Sequence, residues 1–563
     1  MSSPAPLALV RRLVANLAAA GLLFLASPGV SGRDGSVLLA VAGVALWSWT
    51  VAHPLGSRRA RALFVDWLGG TAAGALYMWW VIKVVGFGVA YIGAGVGVYT
   101  LAMGVLIRRG WGRGPFPLLV ASVWTAVELL RALIPPPFGL GWFRLGFHAH
   151  AELWFSGSAR VFGVEGLSFV LAALGGGVAA CALERRVARG TLLAGLLPLV
   201  VAAALARFVP APALVDGPRV LLVQPGFEQA VKQRSDPRAN FAASVEHTRR
   251  ALAELGPVDL VCWGETMLYL PIFTPAAEAA VRAGTANVPP WERPLDMQAI
   301  EVWRGLEESL VRGELFGARG GPGLGGASFS VGAEVYDLVE GEIRRKVGLL
   351  LYDSAGNRAE PAYKQHLVPL GETFFGFERQ AWARRLALDS AGYVPDLVAG
   401  ERTGRLALRG RDGRLYTASG TVCFDNAHPF PYRSALAEGP VDFHLVASNE
   451  AWYGTSCEMD QMLAFSRVFA LSTGRSFVRA TNSGVSAVIG GDGREVGRVL
   501  GAGGADRAVA GAAAFTVPVP APGLAAATPY VRLGRGGELL WLVLGLLAVL
   551  RPSRAGNRPA LAG

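Results

Sequence analysis

Residues 258–266 read VDLVCWGET, a short run that is apolar apart from Asp259 and ends in a polar turn containing Glu265. A run of this kind, without polar alternation, predicts a strand that is buried on both faces. Helical patterns at 237–255 and 456–472 lie among further such segments. Those segments are 219–224 (RVLLVQ), 421–424, 441–448 (VDFHLVAS) and 477–489. The sequence therefore predicts an α/β domain over residues 217–522.

The stretch at 274–326 departs from this order of strands and helices. It combines an Ala-rich helical pattern, the pair Pro289 and Pro290, and GARGGPGLGG at 317–326. Gly and Pro at this density predict an insertion that lies on the surface and is partly mobile. The chain contains no P-loop spacing, and its one GxGxxG match, at 321–326, falls within this Gly-rich stretch, so no nucleotide cofactor is expected.

The composition of the whole chain excludes a wholly soluble protein. Of its 563 residues, 52% are hydrophobic and 17% are charged, and the mean hydropathy is +0.38. Soluble globular chains carry roughly 25% charged residues. Four cysteines in a chain of this length, without a CxxC spacing, exclude a disulfide scaffold and a structural zinc site. The cysteines are Cys181, Cys262, Cys423 and Cys457.

Eight apolar runs approach the length of about 20 residues that a membrane-spanning helix needs. Seven of them precede residue 210 and predict a seven-helix transmembrane domain over 1–212. The eighth, at 538–550, is shorter and predicts a C-terminal transmembrane helix followed by a cytoplasmic tail within 530–563. The first seven runs are 13–29, 36–53, 62–82, 86–107, 115–134, 161–183 and 191–209.

The net charge of +11 comes from basic residues that lie between the apolar runs. This placement favours a membrane partner over nucleic acid, and the positive-inside rule then sets the orientation. The amino and carboxyl termini are predicted inside and the 217–530 segment outside. A cleaved signal peptide is the alternative for the first run, although the following spans favour a retained anchor. The basic clusters predicted inside are Arg11/Arg12, Arg58/Arg59/Arg61, Arg108/Arg109/Arg113, Arg185/Arg186/Arg189 and Arg551/Arg554/Arg558.

Three segments of the α/β domain place a reactive side chain at or near the end of an apolar strand, where α/β folds put their sites. They are VCWGET with Glu265, YKQHLVPLGE (363–372) with Lys364 and Glu372, and TVCFDN with Cys423. A carboxylate, an amine and a thiol together can perform nucleophilic acyl transfer without a metal or cofactor. The carboxylate takes the thiol proton, the thiolate attacks a carbonyl, and the ammonium stabilises the oxyanion.

Each of the three residues also has a purely structural interpretation. A cysteine at a strand end is commonly a small buried hydrophobe, the glutamate can cap a helix or pair, and the lysine can be a surface charge. One count weighs against the last of these, because the chain uses 49 arginines and four lysines. A lysine kept where arginine is the usual choice indicates that a compact amine matters there.

The order Glu265, Lys364, Cys423 in these contexts resembles the nitrilase superfamily and, within it, the apolipoprotein N-acyltransferase family. The fold implied is a polytopic α-helical membrane domain plus an α/β nitrilase-like α-β-β-α sandwich domain. Further segments carry the resemblance in both halves of the chain. They are WTAVELLR (124–131), GLGWFRLGF (139–147), SNEAWYGTS (448–456), GRSFVRATNSGVSAVI (474–489) and TPYVRLG (528–534).

The resemblance implies transfer of a fatty acyl chain from a membrane phospholipid, through a thioester on Cys423, to the α-amino group of a diacylglyceryl-cysteine lipoprotein. Glu265 would be the general base and Lys364 the oxyanion stabiliser. Glu372 would orient them, and Phe424 and Asp425 would help to shape the pocket. The implied location is the bacterial inner membrane, with the catalytic domain on the periplasmic side.

The chain departs from the family pattern at four positions outside the triad. Gly264 stands where the family commonly has proline, and Asp425 stands where it usually has glutamate. Gln233 and Met462 replace an expected tryptophan and histidine. These departures concern the lipid pocket and the role of Asp425.

Two other functions are compatible with part of the sequence. The first is a membrane-tethered amidase or nitrilase-type hydrolase, in which water is the acceptor. The second is a polytopic sensor or transporter whose outer domain binds a ligand without catalysis. The resemblance in the membrane half favours the acyltransferase.

Overall fold

The computed structural model describes residues 5–184, 188–229, 237–288, 296–318, 320, 323–522 and 527–552. Arg185, Arg186, Gln233, Arg554 and Arg558 lie outside these residues. The chain forms two compact units. A helical unit comprises Met1–Ala211, Ser456–Gly474 and Ala527–Gly563, and an α/β unit comprises Pro212–Thr455 and Arg475–Ala526.

The predicted spans and the helical patterns at 237–255 and 456–472 form helices, and further helices lie between them. In order they are α1 (Leu9–Ala26), α2 (Val37–Ala52), α3 (Arg59–Tyr77), α4 (Gly88–Gly110), α5 (Phe116–Leu133), α6 (Leu153–Ser156), α7 (Ala159–Glu184), α8 (Arg189–Phe208), α9 (Pro237–Leu255), α10 (Pro275–Arg282), α11 (Met297–Glu307), α12 (Ala381–Ala391), α13 (Phe430–Glu438), α14 (Glu458–Thr473) and α15 (Pro529–Leu550).

Each of the eight predicted spans coincides with one long helix, from α1 to α5, α7, α8 and α15. Among the described residues, six of these helices are long and apolar enough to cross a membrane. Of the other two, α2 has 16 residues and α3 contains Arg59, Arg61 and Asp66. The number and character of the helices identify a membrane protein.

A buried ion cluster joins three helices of the helical unit. The Asp66 carboxylate on α3 accepts hydrogen bonds from Arg12 Nε of α1 at 2.7 Å and from Arg108 Nη2 of α4 at 2.6 Å. Asn16 Nδ2 of α1 donates to the same carboxylate at 3.0 Å. Arg12 and Asp66 are almost completely buried, so these bonds compensate for the removal of their charges from water.

The helix α14 belongs to the helical unit, although its sequence lies between strands of the α/β unit. The Gln461 side chain accepts a hydrogen bond from Trp142 Nε1 at 2.7 Å and donates one to Ser27 Oγ at 3.0 Å. Met462 is buried in the same helix. The helix begins after Cys457 without a side-chain cap.

The α/β unit contains two sheets. The strands are β1 (Leu214–Gln224), β2 (Leu260–Cys262), β3 (Leu268–Phe273), β4 (Ser328–Val339), β5 (Glu342–Tyr352), β6 (Ala362–Tyr363), β7 (Gly404–Arg409), β8 (Leu415–Val422), β9 (Phe443–Ser448), β10 (Ser476–Thr481), β11 (Ala487–Ile489), β12 (Glu495–Arg498) and β13 (Gly511–Pro520). The first sheet has the order β13-β1-β2-β4-β5-β6, with β3 beside β4, and the second has the order β12-β11-β10-β9-β8-β7.

Alternate residues of β1 contribute to two different hydrophobic cores. Val220 and Leu222 pack with residues of the second sheet, such as Leu445, so this core lies between the sheets. Leu221 and Val223 pack with Phe241 of α9 on the other face of the first sheet. Because both faces are covered, β1 is apolar without alternation, as its sequence predicts.

The outer face of the second sheet carries α13. Its Tyr432 ring lies 4.9 Å from the His444 ring of β9 and 4.7 Å from the Phe477 ring of β10. Together with α9 on the first sheet, this gives the layer order helix, sheet, sheet, helix. The predicted fold class is confirmed.

The described part of the predicted insertion contains helices and contributes buried residues to a core, whereas Pro289 and Pro290 lie outside the described residues. Its described part contains α10, α11 and the π-helix Glu308–Leu315. Val311 and Leu315 are buried in the core that covers the outer face of the first sheet. Val311 and Leu315 thus supply an apolar face to the sheet, whereas most residues of the described part are exposed or partly exposed.

Candidate functional site

Glu265 lies directly beyond the carboxyl end of β2, where close backbone packing fixes its position. Its backbone N–H donates to the Ser448 carbonyl at 3.3 Å. A Cβ at Gly264 would lie 2.8 Å from the Asn482 nitrogen and 2.9 Å from the Ser448 oxygen. Any residue with a side chain, proline included, would require the backbone to shift here. This contact gives the departure at position 264 a steric reason.

Lys364 lies directly after β6, and hydrogen bonds hold both its backbone and its side chain. Its backbone N–H donates to the Val347 carbonyl of β5 at 2.9 Å. Its side chain is buried, and Nζ donates to Glu265 Oε1 at 3.3 Å and to Glu372 Oε1 at 2.7 Å. The ammonium group therefore joins two carboxylates from different segments of the chain.

The charges around Lys364 oppose the effect of burial on the pKa of its amine. Burial alone would lower the pKa of this amine, but Glu265, Glu372 and Cys423 raise the pKa well above its usual value. The amine is consequently a permanent cation at neutral pH. The contribution of Cys423 also indicates that the thiol lies within electrostatic reach of the ammonium.

Glu372 has a second anchor besides Lys364. Its Oε2 accepts the backbone N–H of Val368 at 2.8 Å. Burial raises the pKa of this carboxyl above its usual value, although Lys364 opposes the shift, and the nearby Glu265 raises it further. The two carboxyl groups therefore share one cation.

Cys423 follows the last residue of β8 in a left-handed conformation, with φ of 49°. This region is unfavourable for a residue with a side chain, and strain of this kind clusters at functional sites. None of the four cysteines forms a disulfide. Burial raises the pKa of Cys262 to about 12 and that of Cys457 to about 11, so neither is suited to act as a nucleophile at neutral pH.

Asp425 links the cysteine turn to the segment that carries Lys364. Its buried carboxylate accepts hydrogen bonds from the backbone nitrogens of Val422 at 3.2 Å, Gln365 at 3.1 Å and His366 at 2.8 Å. His366 Nδ1 also lies 3.0 Å from it. The predicted supporting role of Asp425 therefore has a specific geometric form, in which one carboxylate binds both segments.

Phe424 is buried beside this turn. Its ring meets the His428 ring edge to face, with centroids 5.2 Å apart. The His428 ring in turn stacks on His366 at 3.9 Å. These aromatic contacts pack the residue after the cysteine against the Lys364 segment.

The predicted site residues therefore meet in one unit. The structure brings Glu265, Lys364 and Glu372 into direct contact, places Cys423 near the ammonium, and joins the segments through Asp425. Met462, which stands where the family has a histidine, lies in the helical unit. In the described chain, no group of three or more His, Cys, Asp or Glu side chains is arranged to hold a metal ion.

Sequence reasoning used one neighbouring segment, SNEAWYGTS, for resemblance alone. The backbone N–H of Asn449 in this segment donates to Glu265 Oε2 at 3.1 Å. A backbone donor has no signature in the residue type. The one available signal was the position of Asn449 at the carboxyl end of a buried strand.

Comparison with known proteins gives the same assignment as the motifs. Residues 19–177 match the family model of the apolipoprotein N-acyltransferase N-terminal domain. An apolipoprotein N-acyltransferase of Haemophilus ducreyi is 25% identical over 71% of this chain and 70% of its own length. One from Bordetella bronchiseptica is 28% identical over 78% of this chain and 73% of its own length. A mutant of the Nesterenkonia AN1 amidase, from the nitrilase superfamily, aligns with 59% of this chain and 98% of its own at 16% identity and a TM-score of 0.36.

The family model and the two acyltransferases confirm the resemblance to the apolipoprotein N-acyltransferases and the class of enzyme, an acyltransferase. The assignment of roles to Glu265, Lys364 and Cys423 stays a prediction, as do the predicted domain boundaries.

Proposed function

We propose that this chain, an acyltransferase similar over most of its length to the apolipoprotein N-acyltransferases, moves a fatty acyl chain from a phospholipid to the α-amino group of a diacylglyceryl-cysteine lipoprotein. The observation that carries the proposal is the contact of Lys364 Nζ with both Glu265 and Glu372, beside a cysteine held at the end of a strand. An ammonium between two carboxylates is suited to stabilise an oxyanion while a neighbouring carboxylate moves a proton.

The first half of the reaction forms a thioester. Glu265 takes the proton of the Cys423 thiol, and the thiolate attacks the ester carbonyl of the phospholipid. Lys364 stabilises the resulting oxyanion. The C–O bond of the ester then breaks, the lysophospholipid leaves with the proton from Glu265, and the acyl chain stays on Cys423.

The second half transfers the acyl chain to the acceptor. The neutral α-amino group of the lipoprotein attacks the thioester carbonyl, with the oxyanion again at Lys364. An amide bond forms, the C–S bond breaks, and the thiol is restored when the proton lost by the amine reaches the sulfur. A thioester suits this step because it acylates amines readily.

We place the enzyme in a bacterial inner membrane, with the α/β unit on the periplasmic side. The support is the position of the basic residues relative to the helices. Arg108 and Arg109 lie at the carboxyl end of α4, and Arg189 lies at the start of α8, both on the side assigned to the cytoplasm. A phospholipid ester remains in the bilayer, so its enzyme must be held there.

Reconstitution of the full chain in liposomes tests the proposal. The donor phospholipid and a synthetic diacylated lipopeptide are supplied together, and mass spectrometry follows the lipopeptide. We expect its mass to increase by one acyl chain, and we expect no product with Cys423→Ser.

Two outcomes would reject the transferase. Release of free fatty acid with an unchanged lipopeptide would indicate the hydrolase. Failure to consume either lipid in well-folded protein would indicate a binding protein without catalysis.

A further inference from the structure

A completely buried ion pair lies next to the candidate site in the α/β unit. Arg479 Nη2 on β10 lies 2.5 Å from Glu450 Oε1, and both side chains are inaccessible to solvent. Arg479 Nε also donates to the Val485 carbonyl at 3.4 Å, and Glu450 Oε2 accepts the Val485 N–H at 3.4 Å. The pair thus binds the segment after β9 to β10 and to the turn that follows it.

The backbone around this pair leaves no freedom for the Glu450 carboxylate. A Cβ at Gly484 would lie 1.8 Å from Glu450 Oε2, so this position accepts only glycine while the carboxylate keeps its place. Burial raises the pKa of Glu450 although Arg479 opposes the shift. The carboxylate is therefore enclosed by one guanidinium and by closely packed backbone.

The residue before Glu450 contacts the predicted general base. The Asn449 N–H donates to Glu265 Oε2 at 3.1 Å, and the preceding Ser448 carbonyl accepts the Glu265 N–H at 3.3 Å. The Asn449 side chain is itself held, because its Oδ1 accepts Asn482 Nδ2 at 3.0 Å. Residues 448–450 therefore connect the ion pair to the Glu265 carboxylate through one peptide unit.

We propose that the Glu450–Arg479 pair is a positioning device for the general base, which it holds through the Asn449 N–H. The inference rests on the proposed function, in which Glu265 takes the thiol proton. Neither member of the pair touches the reacting atoms. Their effect is to fix the direction in which the Asn449 N–H meets Glu265 Oε2, while Lys364 holds Oε1.

The energetics of buried charges favour a positioning role over simple stabilisation. When two ions are buried, the free energy of hydration that they lose is about as large as the free energy of their mutual attraction. Apolar residues of the same volume therefore commonly stabilise a core equally well. An ion pair with fixed hydrogen bonds instead restricts the residues that it joins to a single geometry. Small errors in the position of a reacting group can lower a rate by about a hundredfold.

A double-mutant cycle on the full chain in liposomes tests this inference. The rate constant for acyl-adduct formation on Cys423 is measured by mass spectrometry in the wild type, Glu450→Gln, Glu265→Gln and the double variant. We expect Glu450→Gln alone to lower the rate constant by about tenfold to a hundredfold. In the Glu265→Gln background it should change the rate constant by less than about twofold, because the base that it positions is absent.

Equal losses in both backgrounds would overturn the inference, because a purely structural defect does not depend on Glu265. An unchanged rate in the single variant would also overturn it. If the wild type formed no adduct, the proposed function would fail first, so the two failures are distinguishable.

A matched control is Asp506→Asn, which breaks the buried pair of Arg498 and Asp506 at the edge strand β12. We expect its adduct rate to stay within about twofold of the wild type. If Glu450→Gln unfolds, Arg479→Lys is measured in the same two backgrounds, with the same expected and contradicting results.

Discussion

Two buried charge clusters, one in each unit, have opposite arrangements. In the helical unit two guanidinium groups, of Arg12 and Arg108, surround the carboxylate of Asp66. In the α/β unit two carboxylates, of Glu265 and Glu372, surround the ammonium of Lys364. Arginine remains charged in proteins and holds a carboxylate in a rigid fork, whereas lysine presents a compact charge. We infer that the Asp66 cluster connects helices, whereas the Lys364 cluster belongs to a site in which protons can be transferred.

The arginine excess of the chain makes this difference informative. In a chain with 49 arginines and four lysines, the buried Arg and Lys side chains of the described residues are arginines apart from Lys364. The exception lies beside two carboxylates and a thiol, where an oxyanion would need a small positive partner. The following predictions test whether the two arrangements differ in function as they do in charge.

Exchange of the cation type should have the largest effect on the rate of acyl-adduct formation, and we expect this effect only in the α/β unit. We expect Lys364→Arg to lower the rate of acyl-adduct formation by about a thousandfold, because a planar guanidinium cannot occupy the position of the ammonium. The counterpart Arg108→Lys in the helical unit should leave the rate within about threefold. Comparable losses in both variants, measured by mass spectrometry at equal amounts of folded protein, would remove the distinction.

Loss of the helical carboxylate should affect stability and leave chemistry intact. Asp66→Asn leaves the buried Arg12 charge without its partner, which we expect to cost about 3 kcal/mol of unfolding free energy. The matched variant Asp34→Asn breaks an exposed pair with Arg467 and should cost less than about 1 kcal/mol. Thermal unfolding in detergent measures both, and a fall in activity per folded Asp66→Asn molecule would contradict the structural role.

Addition of a methyl group should separate the tight and open glycine positions of the two units. Gly484→Ala places Cβ against Glu450, and we expect overpacking to destabilise the α/β unit by about 2 kcal/mol. Gly95→Ala in α4 meets open space and should be neutral or slightly stabilising. Equal melting temperatures for the two variants would show that the enclosure of Glu450 is not tight.

The smallest expected effect is the contribution of one buried histidine of the α/β unit to the pH dependence of stability. Burial lowers the pKa of His444 well below 6.5, and Arg475 lowers it further. Below about pH 6.5, His444 therefore binds a proton in the unfolded chain but not in the folded chain. The free energy of unfolding is highest above that pH and decreases as the pH falls. We expect a loss of about 1 kcal/mol per pH unit from pH 6.5 downward. The His444→Gln variant should have a shallower slope over this range, and an identical slope in both proteins would contradict the assignment.

The sequence predicted the elements well wherever burial covers a whole segment. The apolar runs located all eight long helices of the membrane half, and the segment 219–224 located β1. The segment 477–489 forms two antiparallel strands, β10 and β11, because residues 482–486 turn the chain. The long hairpin of β4 and β5 was not predicted, although alternation of apolar and polar residues, as in parts of both strands, is typical of a half-buried strand.

The residues of the candidate site could be predicted from the sequence, but the residues that hold them in position could not. Motif resemblance selected Glu265, Lys364 and Cys423, but the contacts of Asn449 and Asp425 with backbone nitrogens depend on tertiary packing. Arg479 carried a usable signal, because an arginine within the apolar run at 477–489 requires a buried partner. The identity of that partner, Glu450, depends on strands β9 and β10 being neighbours.

The central claim is that Cys423 carries the acyl chain as a thioester. The most direct measurement is the intact mass of the full chain after incubation with phospholipid liposomes, before and after neutral hydroxylamine. The account predicts a mass increase of one fatty acyl chain that maps to Cys423, is removed by hydroxylamine, and forms far more slowly in Glu265→Gln. An unmodified Cys423 in folded wild-type protein, or an acyl group on another residue, would contradict it.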